Sequence, residues 1–201
     1  ESEDGVTKVP EFEQRYMDRK GLSLLEEMKN PNKLTRISTR ANLNIALSPK
    51  LDFAVSTGYT NQELYLPMSD DAGTAGIAAN IYGGPGSKYN LNPSGDTLFG
   101  WRQFTPRDIY QAVTKQAVQR MISSIAGNWR PASWLVGRAN FGLDYTNRTD
   151  TQICRFQNCP DLGTDRLGYK RDNRTNFFVY TFDAGVTGTK KLSEMLDSKT
   201  T

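Results

Sequence analysis

The stretch Leu34–Asn61, LTRISTRANLNIALSPKLDFAVSTGYTN, alternates apolar and polar residues over most of its length. The odd-numbered residues from Ile37 to Leu47 are mainly apolar. The same parity is apolar beyond Ser48-Pro49-Lys50, from Leu51 to Tyr59. A period of two places each set on its own face of a strand, and proline in a short turn ends pairing. The stretch therefore predicts one long antiparallel hairpin with an apolar face and a polar face.

Two kinds of all-β protein produce this pattern. A soluble sandwich buries the apolar face against a second sheet, whereas an outer-membrane barrel turns it toward lipid and keeps the polar face in the lumen. Strands of soluble proteins average about 5–6 residues, while a membrane-spanning strand needs roughly 9–11. Each arm of this hairpin reaches the longer range, which favours the barrel.

Composition excludes several classes of protein. In 201 residues there is no apolar run of about 18 residues, so no transmembrane helix is expected, although barrel strands leave no such run. The net charge of +3 is small and its basic residues are scattered, which argues against nucleic acid as a partner. Histidine is absent and the carboxylates form no motif, so we expect no enzyme, no metal site and no cofactor.

Four further stretches predict strands. Alternation runs from about Thr114 to Trp129 and from Leu135 to Tyr145, and it returns around Phe178–Val186. A short turn is predicted at Arg130-Pro131-Ala132-Ser133 and another near Lys190-Lys191, after which a sixth strand begins. The chain therefore has about six strands in the segment 34–201.

The connections alternate between short and long. Long polar loops are predicted at 62–111 and 147–173, and residues 1–33 are predicted to be a loop excursion with a short helix. Short periplasmic turns and long extracellular loops are typical of transmembrane barrels. The predicted fold is all-β: antiparallel up-and-down strands forming an arc of a large transmembrane β-barrel. Six strands would close only a very small pore, so the chain is expected to be a piece of a longer protein.

Strand parity assigns the side chains to two environments. In the last full strand, Asn176 is grouped with Thr181 and Asp183 on the polar parity. The residues predicted to face the lumen are Arg40, Asn42, Asn44, Arg120, Arg138, Asn140, Asp144 and Asp183. The residues predicted to face lipid are Leu43, Ile45, Phe53, Val55, Phe141, Leu143, Tyr180 and Phe182.

Two loop features suggest specific roles. Cys154 and Cys159 have a spacing that suits a small disulfide loop in an oxidising compartment, the alternative being two free thiols. Flat rings and a planar guanidinium suit sugar or peptide contacts, and the same side chains could instead pin the loop to its neighbours or to a lid protein. The predicted ligand-contact residues are Tyr82, Tyr89, Phe99, Trp101, Arg102 and Tyr110.

Three stretches resemble the SusC/RagA-type TonB-dependent outer-membrane receptors. They are LTRISTRANLNIALSPKLDFAVSTGYTNQ, with an R-x-N-L strand and a short turn into a strand ending in an aromatic residue; WRPASWLVGRANFGLDYTNR, with a G-x-D-Y/F-x-N end before a loop; and GVTGTKKLSEMLDSKTT. The resemblance covers about residues 34–201. It implies a receptor in the cell outer membrane that imports bulky nutrients such as oligosaccharides or peptides.

The resemblance also implies partners. These are the rest of the barrel and its plug domain, a SusD-like surface lipoprotein, the TonB complex, and outer-membrane lipid. No plug domain or TonB box is recognised in the sequence, and the expected role of the lumen-facing charges is to form interior salt bridges with the plug or with each other. Two other readings stay open: a secreted β-sandwich glycan-binding module, and a structural β-fragment that self-associates through unpaired edges.

Overall fold

The sheet dominates the architecture. The computed structural model describes residues 2–4, 8–67, 76–87, 89–161, 163–193 and 196–201. Seven strands lie side by side in chain order, so the sheet is an open up-and-down meander rather than a closed barrel. The strands are β1 (Ser2–Asp4), β2 (Lys33–Ser48), β3 (Leu51–Leu66), β4 (Val113–Ala132), β5 (Leu135–Cys154), β6 (Tyr169–Ser193) and β7 (Leu196–Thr200). The prediction of an all-β chain of antiparallel, sequentially adjacent strands is confirmed.

Four short helices lie outside the sheet. They are α1 (Glu11–Arg19), α2 (Glu26–Lys29), α3 (Ile77–Tyr82) and α4 (Pro106–Ile109), with a 3₁₀ turn at Asp165–Leu167. In α4, proline occupies the first helical position, and the Asp108 carboxylate accepts a hydrogen bond from the backbone N–H of Thr105 at 3.0 Å. The cap combines threonine at the N-cap with proline at the first helical position, and both are common at helix starts. Within the described residues, no helix is both long and apolar enough to cross a membrane.

Two predicted connections are longer than the observed ones. β5 continues to Cys154 and β6 begins at Tyr169, so the loop predicted at 147–173 shrinks to 155–168. The first long connection runs between β3 and β4, from 67 to 112, instead of 62–111. The sequence at the end of β5 is polar, which suggested a loop. Its residues nevertheless continue the strand, and polar side chains bridge it to β6, as Thr151 Oγ1 does to Asp172 at 2.9 Å.

Two predicted turns are displaced. β4 extends through Pro131, so the turn into β5 is Ser133-Trp134. The turn predicted at Lys190-Lys191 is wrong, because both lysines pair across the ladder with Ser198 and Asp197 of β7. Two lysines in succession look like a turn on polarity alone, but each N–H and C=O can still join a ladder.

Residues 1–33 also differ from the predicted loop excursion at their start. Ser2–Asp4 pairs antiparallel with β2, with Glu3 opposite Leu34. The rest of this segment supplies α1 and α2.

The described chain divides into two compact units. Unit 1 comprises Glu1–Arg36, Gln62–Ala117 and Arg148–Arg174, and unit 2 comprises Ile37–Asn61, Val118–Asn147 and Thr175–Thr201. Unit 1 holds all the helices and the buried cores. The described residues of unit 2 form strand segments and the short turns that join them.

The polar parity of unit 2 forms one connected face. Arg120 donates two hydrogen bonds to the Asp144 carboxylate, Nε to Oδ1 at 2.9 Å and a second terminal N–H to Oδ2. Asn140 donates to Asp183 at 3.2 Å. Cross-strand pairs of this kind each stabilise a sheet by about 0.2–1 kcal/mol.

The apolar parity of unit 2 forms the opposite face and is open. The rings of Phe141 and Tyr180 have centroids 6.5 Å apart, and those of Tyr145 and Phe178 are 4.6 Å apart. Phe182 on this face is 73% exposed. One prediction is corrected: Asn176 lies on this apolar parity, since its side-chain oxygen accepts from Tyr145 at 3.4 Å and from Asn147 at 2.7 Å.

Unit 1 has a conventional buried core. Its main cluster is Val9, Met17, Met28, Phe104, Ile109 and Tyr110. A second cluster contains Ala112 and the disulfide-bonded pair Cys154 and Cys159, whose Cα atoms are 5.6 Å apart. The disulfide closes the start of the 155–168 loop onto the end of β5.

Candidate functional site

The loop between β3 and α4 is organised around one buried asparagine. The Asn80 side-chain oxygen accepts hydrogen bonds from the backbone N–H groups of Gln103 at 3.0 Å and Phe104 at 2.8 Å. Its amide nitrogen donates to the Gly76 carbonyl at 2.9 Å. The Asn80 side chain satisfies the N–H groups of Gln103 and Phe104, and it shares the Gly76 carbonyl with its own backbone N–H, so residues 76–80 and 103–104 are held together.

A second asparagine performs the same task higher in the loop. Asn90 donates to the Trp101 carbonyl at 2.6 Å and accepts from the Gly100 N–H at 2.7 Å. In the chain between Asn90 and Gly100, Leu91 and Thr97 form an isolated antiparallel bridge. We call the described segments 76–87 and 89–104 the asparagine-braced loop.

Three of the six predicted ligand-contact side chains are exposed on this loop. Tyr82 is 89% exposed and Tyr89 is 76% exposed, and Arg102 is also exposed. A Cβ added at Gly83 would lie 2.6 Å from Cδ of Arg102, so the arginine stem crosses the chain next to Tyr82. Trp101 is half-buried. The loop therefore presents two open aromatic rings and a cation.

Tyr110 was predicted to contact ligand, and that prediction is wrong. Its side chain is 2% exposed and belongs to the main core of unit 1, beside Ile109 and Met17. Burial raises the pKa of its phenol to about 12, and the nearby Glu13 charge acts in the same direction. The ring supports the loop from below and is not available to a ligand.

Phe99, which was predicted to contact a ligand, packs against helix α1. Its ring meets Phe12 and Tyr16 of α1 edge-on, with centroids 5.0 and 5.7 Å away. Tyr16 donates to the Asp96 carboxylate at 2.5 Å, and this hydrogen bond holds the pKa of Asp96 below its usual range. These contacts attach α1 to the asparagine-braced loop.

A buried acid lies at the same junction and was not identified from the sequence. Glu13 is fully buried; its Oε2 accepts from the backbone N–H of Arg107 at 3.0 Å, and Oε1 has no hydrogen-bond partner among the described residues. Burial raises its pKa from 4.5 to about 7. A signal was present, because Val9, Glu13 and Met17 are spaced four apart, and an acid on an apolar helical stripe is expensive unless it is neutral.

Unit 1 also contains a charged cleft of about 560 Å³. Lys115 pairs with Glu63 at 2.8 Å, and Arg155 pairs with Glu27 at 2.5 Å. The acids and bases of its lining are Glu26, Glu27, Glu63, Lys33, Lys115 and Arg155. Three negative and three positive groups balance one another, so the cleft offers no net field to attract a charged ligand.

Among the described residues no group of three or more metal-ligating side chains comes together. No family model matches the chain. No curated protein matches it either. What the site offers is exposed rings, a guanidinium and a loop whose backbone is firmly braced.

Replacing Asn80 with alanine should make the asparagine-braced loop open more easily. The backbone N–H groups of Gln103 and Phe104 would lose their partner, and leaving a buried group unpaired costs about 1–3 kcal/mol. We expect hydrogen exchange at residues 100–104 to accelerate by at least about tenfold, which corresponds to about 1.4 kcal/mol. Ser94→Ala, on the exposed tip of the same loop, is the control. Equal exchange in both variants would contradict the bracing role of Asn80.

Proposed function

We propose that this chain is an arc of a large outer-membrane β-barrel belonging to a TonB-dependent nutrient receptor of the SusC/RagA type. The cargo class that fits is a bulky neutral or zwitterionic nutrient, an oligosaccharide or a peptide. The asparagine-braced loop would contact it outside the membrane. The rest of the barrel with its plug, a SusD-like lipoprotein and the TonB complex would be the partners.

The observation that carries this proposal is the open apolar face of unit 2. Leu43 is 58% exposed, and Phe182 more so, and within the described residues no second sheet covers them. Water-exposed apolar patches of this extent are rare on soluble monomers, whereas a lipid-facing barrel surface requires one. The opposite face carries the paired charges, as a barrel lumen does.

Strand length supports the same conclusion. β2 and β3 each have 16 residues, β4 and β5 each have 20, and β6 has 25. A spanning strand needs roughly 9–11 residues, so each strand has length left over for a segment that extends beyond the hydrocarbon layer.

Fractionation of the native source tests the proposal. Outer membranes should contain the chain in a band much larger than 22.5 kDa that shifts in mobility when the sample is boiled, as detected by an antibody to the 155–168 loop. Boiling matters because transmembrane barrels keep their strands paired in detergent. A band of 22.5 kDa in the soluble fraction, unchanged by heat, would overturn the receptor.

The exposed tyrosines support a second candidate, a secreted glycan-binding module. Tyr82 and Tyr89 are the type of flat surface on which sugar rings stack. In that case a soluble, monomeric chain would bind oligosaccharides, and Tyr82→Ala with Tyr89→Ala would remove binding while leaving stability within about 0.5 kcal/mol of the wild type. If the chain belongs to the receptor, the two substitutions should weaken cargo binding only in the membrane assembly. Binding by the soluble, monomeric chain therefore distinguishes the glycan-binding module from the receptor.

A further inference from the structure

The apolar face of unit 2 contains a groove of about 400 Å³. Two glycines shape it. A Cβ added at Gly127 would lie 3.1 Å from Cε1 of Phe53, and one at Gly137 would lie 3.5 Å from Cε3 of Trp129, so both rings rest on bare backbone. The other lining residues are Leu51, Arg138, Ala139, Ala184, Gly185 and Val186. The groove is therefore mainly apolar, with the Phe53 and Trp129 rings in its lining and Arg138 as its charged residue.

A second, polar pocket of about 690 Å³ lies at the β6–β7 end of the same unit. Its side chains include Lys190, Lys191, Ser198 and Thr200, and the Trp134 indole. The Thr189 N–H donates to the Trp134 carbonyl at 2.8 Å, which holds the β4–β5 turn beside β6. Lys190 pairs across the ladder with Ser198, and Lys191 pairs with Asp197. None of the described lining residues is a carboxylate, so Lys190 is the cation on the same face as Ser198.

The groove and the pocket adjoin along one strand. Ala184 and Val186 line the groove, and Gly188 and Lys190 line the pocket. These four residues are spaced by two along β6, which places their Cα–Cβ directions on the same face. A ligand with one apolar end and one anionic end could therefore occupy both without a turn.

We propose that groove and pocket together bind one phospholipid of the surrounding membrane. Its phosphate would lie between Lys190 and the Ser198 and Thr200 hydroxyls, and one acyl chain would lie between Phe53 and Trp129. That the ligand comes from the membrane rests on the proposed receptor function. The apolar groove and the polar pocket are features of the structure and do not depend on that function.

The chemistry matches the ligand at both ends. Lysine binds phosphate as a point charge, hydroxyls donate to its oxygens, and indole N–H groups favour the polar boundary of a bilayer. The acyl chain would contact the Phe53 and Trp129 rings, whereas free phosphate would occupy only the pocket.

The headgroup half is tested by charge removal. Dihexanoyl phosphatidylglycerol, kept below its micellar concentration, is titrated into the full chain in a neutral maltoside detergent while tryptophan emission is recorded. Lys190→Gln with Lys191→Gln should weaken binding by about tenfold or more, because hydrogen bonds to charged groups contribute on that scale. The matched control is Lys50→Gln with Lys199→Gln, which removes the same charge from residues outside the pocket. Equal affinity of the two double variants would overturn the headgroup site.

The acyl half is tested by proximity. A phosphatidylglycerol with brominated chains should quench the emission of the wild-type chain, and Trp129→Phe should lose most of that quenching while Trp101→Phe keeps it. Inorganic phosphate at millimolar concentration should not displace the lipid. Displacement by phosphate, or quenching that Trp129→Phe leaves intact, would overturn the lipid as occupant.

The outcomes also separate this proposal from the receptor function. A chain recovered in the soluble fraction can be titrated in buffer without detergent. Lysine-dependent lipid binding by the soluble chain would support the lipid site and contradict the receptor function. A heat-modifiable outer-membrane chain whose lipid binding ignores Lys190 and Lys191 would keep the receptor and remove the site.

Discussion

Arginine in place of Phe141 should prevent the chain from assembling in the outer membrane. Phe141 lies on the open apolar face of unit 2, with its ring against Tyr180. In the receptor this face meets hydrocarbon, where an arginine near the bilayer midplane costs about 2–4 kcal/mol. We expect the variant to disappear from the heat-modifiable outer-membrane band and to accumulate as degraded or unassembled chain. Val55→Arg should behave in the same way.

The matched control is Asn44→Arg. Asn44 is exposed on the opposite parity, and among the described contacts it has no hydrogen-bond partner that the change would remove. In the receptor its side chain faces water in the lumen, so assembly should be normal. Equal loss of assembly from positions 44 and 141 would contradict the proposed orientation of the two faces, whatever the identity of the receptor.

Glu13 should make the attachment of α1 depend on pH. Below pH 4.5 the acid is protonated in both the folded and the unfolded chain. Between pH 4.5 and about 7 the unfolded chain loses the proton while the folded chain keeps it, so the free energy of unfolding falls as pH rises. The total fall is about 3 kcal/mol, and it is complete above pH 7. Hydrogen exchange of residues 11–19, corrected for the intrinsic effect of pH, should therefore reveal easier opening at pH 8 than at pH 5.

Glu13→Gln should remove this dependence. Glutamine cannot ionise, but its amide leaves an unpaired group where Oε1 has no partner now, a cost of about 1–3 kcal/mol at every pH. The slope between pH 5 and 8 is therefore the decisive quantity, not the absolute stability. Glu11→Gln, on the exposed side of the same helix beside Arg15, should keep the wild-type slope. A Glu13→Gln chain with that same slope would show that another group titrates.

Strand identity was predictable because its signal is local. A period of two depends only on neighbouring residues. Every side-chain pair that we describe in unit 2 joins residues on the same face of the sheet, as Arg120 does with Asp144. Strand ends were less predictable. The polar residues after Tyr145 look like a loop by composition, yet backbone pairing holds them in β5 as far as Cys154. Asn176 was placed on the wrong face by its polarity, although its number alone puts it with Phe178.

The candidate site was only partly predictable, since exposure depends on contacts distant in sequence. Tyr82 and Tyr110 are both aromatic residues in polar surroundings, but only the second meets the core formed by Val9 and Met17. The bracing by Asn80 joins residues 23 and 24 positions apart, which no short motif reports. Glu13 was recognisable as an acid on an apolar stripe, while its partner Arg107 is 94 positions away.

The asparagine bracing has an evolutionary consequence. Asn80 and Asn90 bind backbone groups, so the shape of the loop owes little to the side chains that project from it. Exposed positions away from such features usually tolerate substitution within about 0.5 kcal/mol. Tyr82, Tyr89 and Arg102 can therefore be exchanged while the frame persists. A lineage that meets changing ligands could diversify these positions without first having to rebuild the fold.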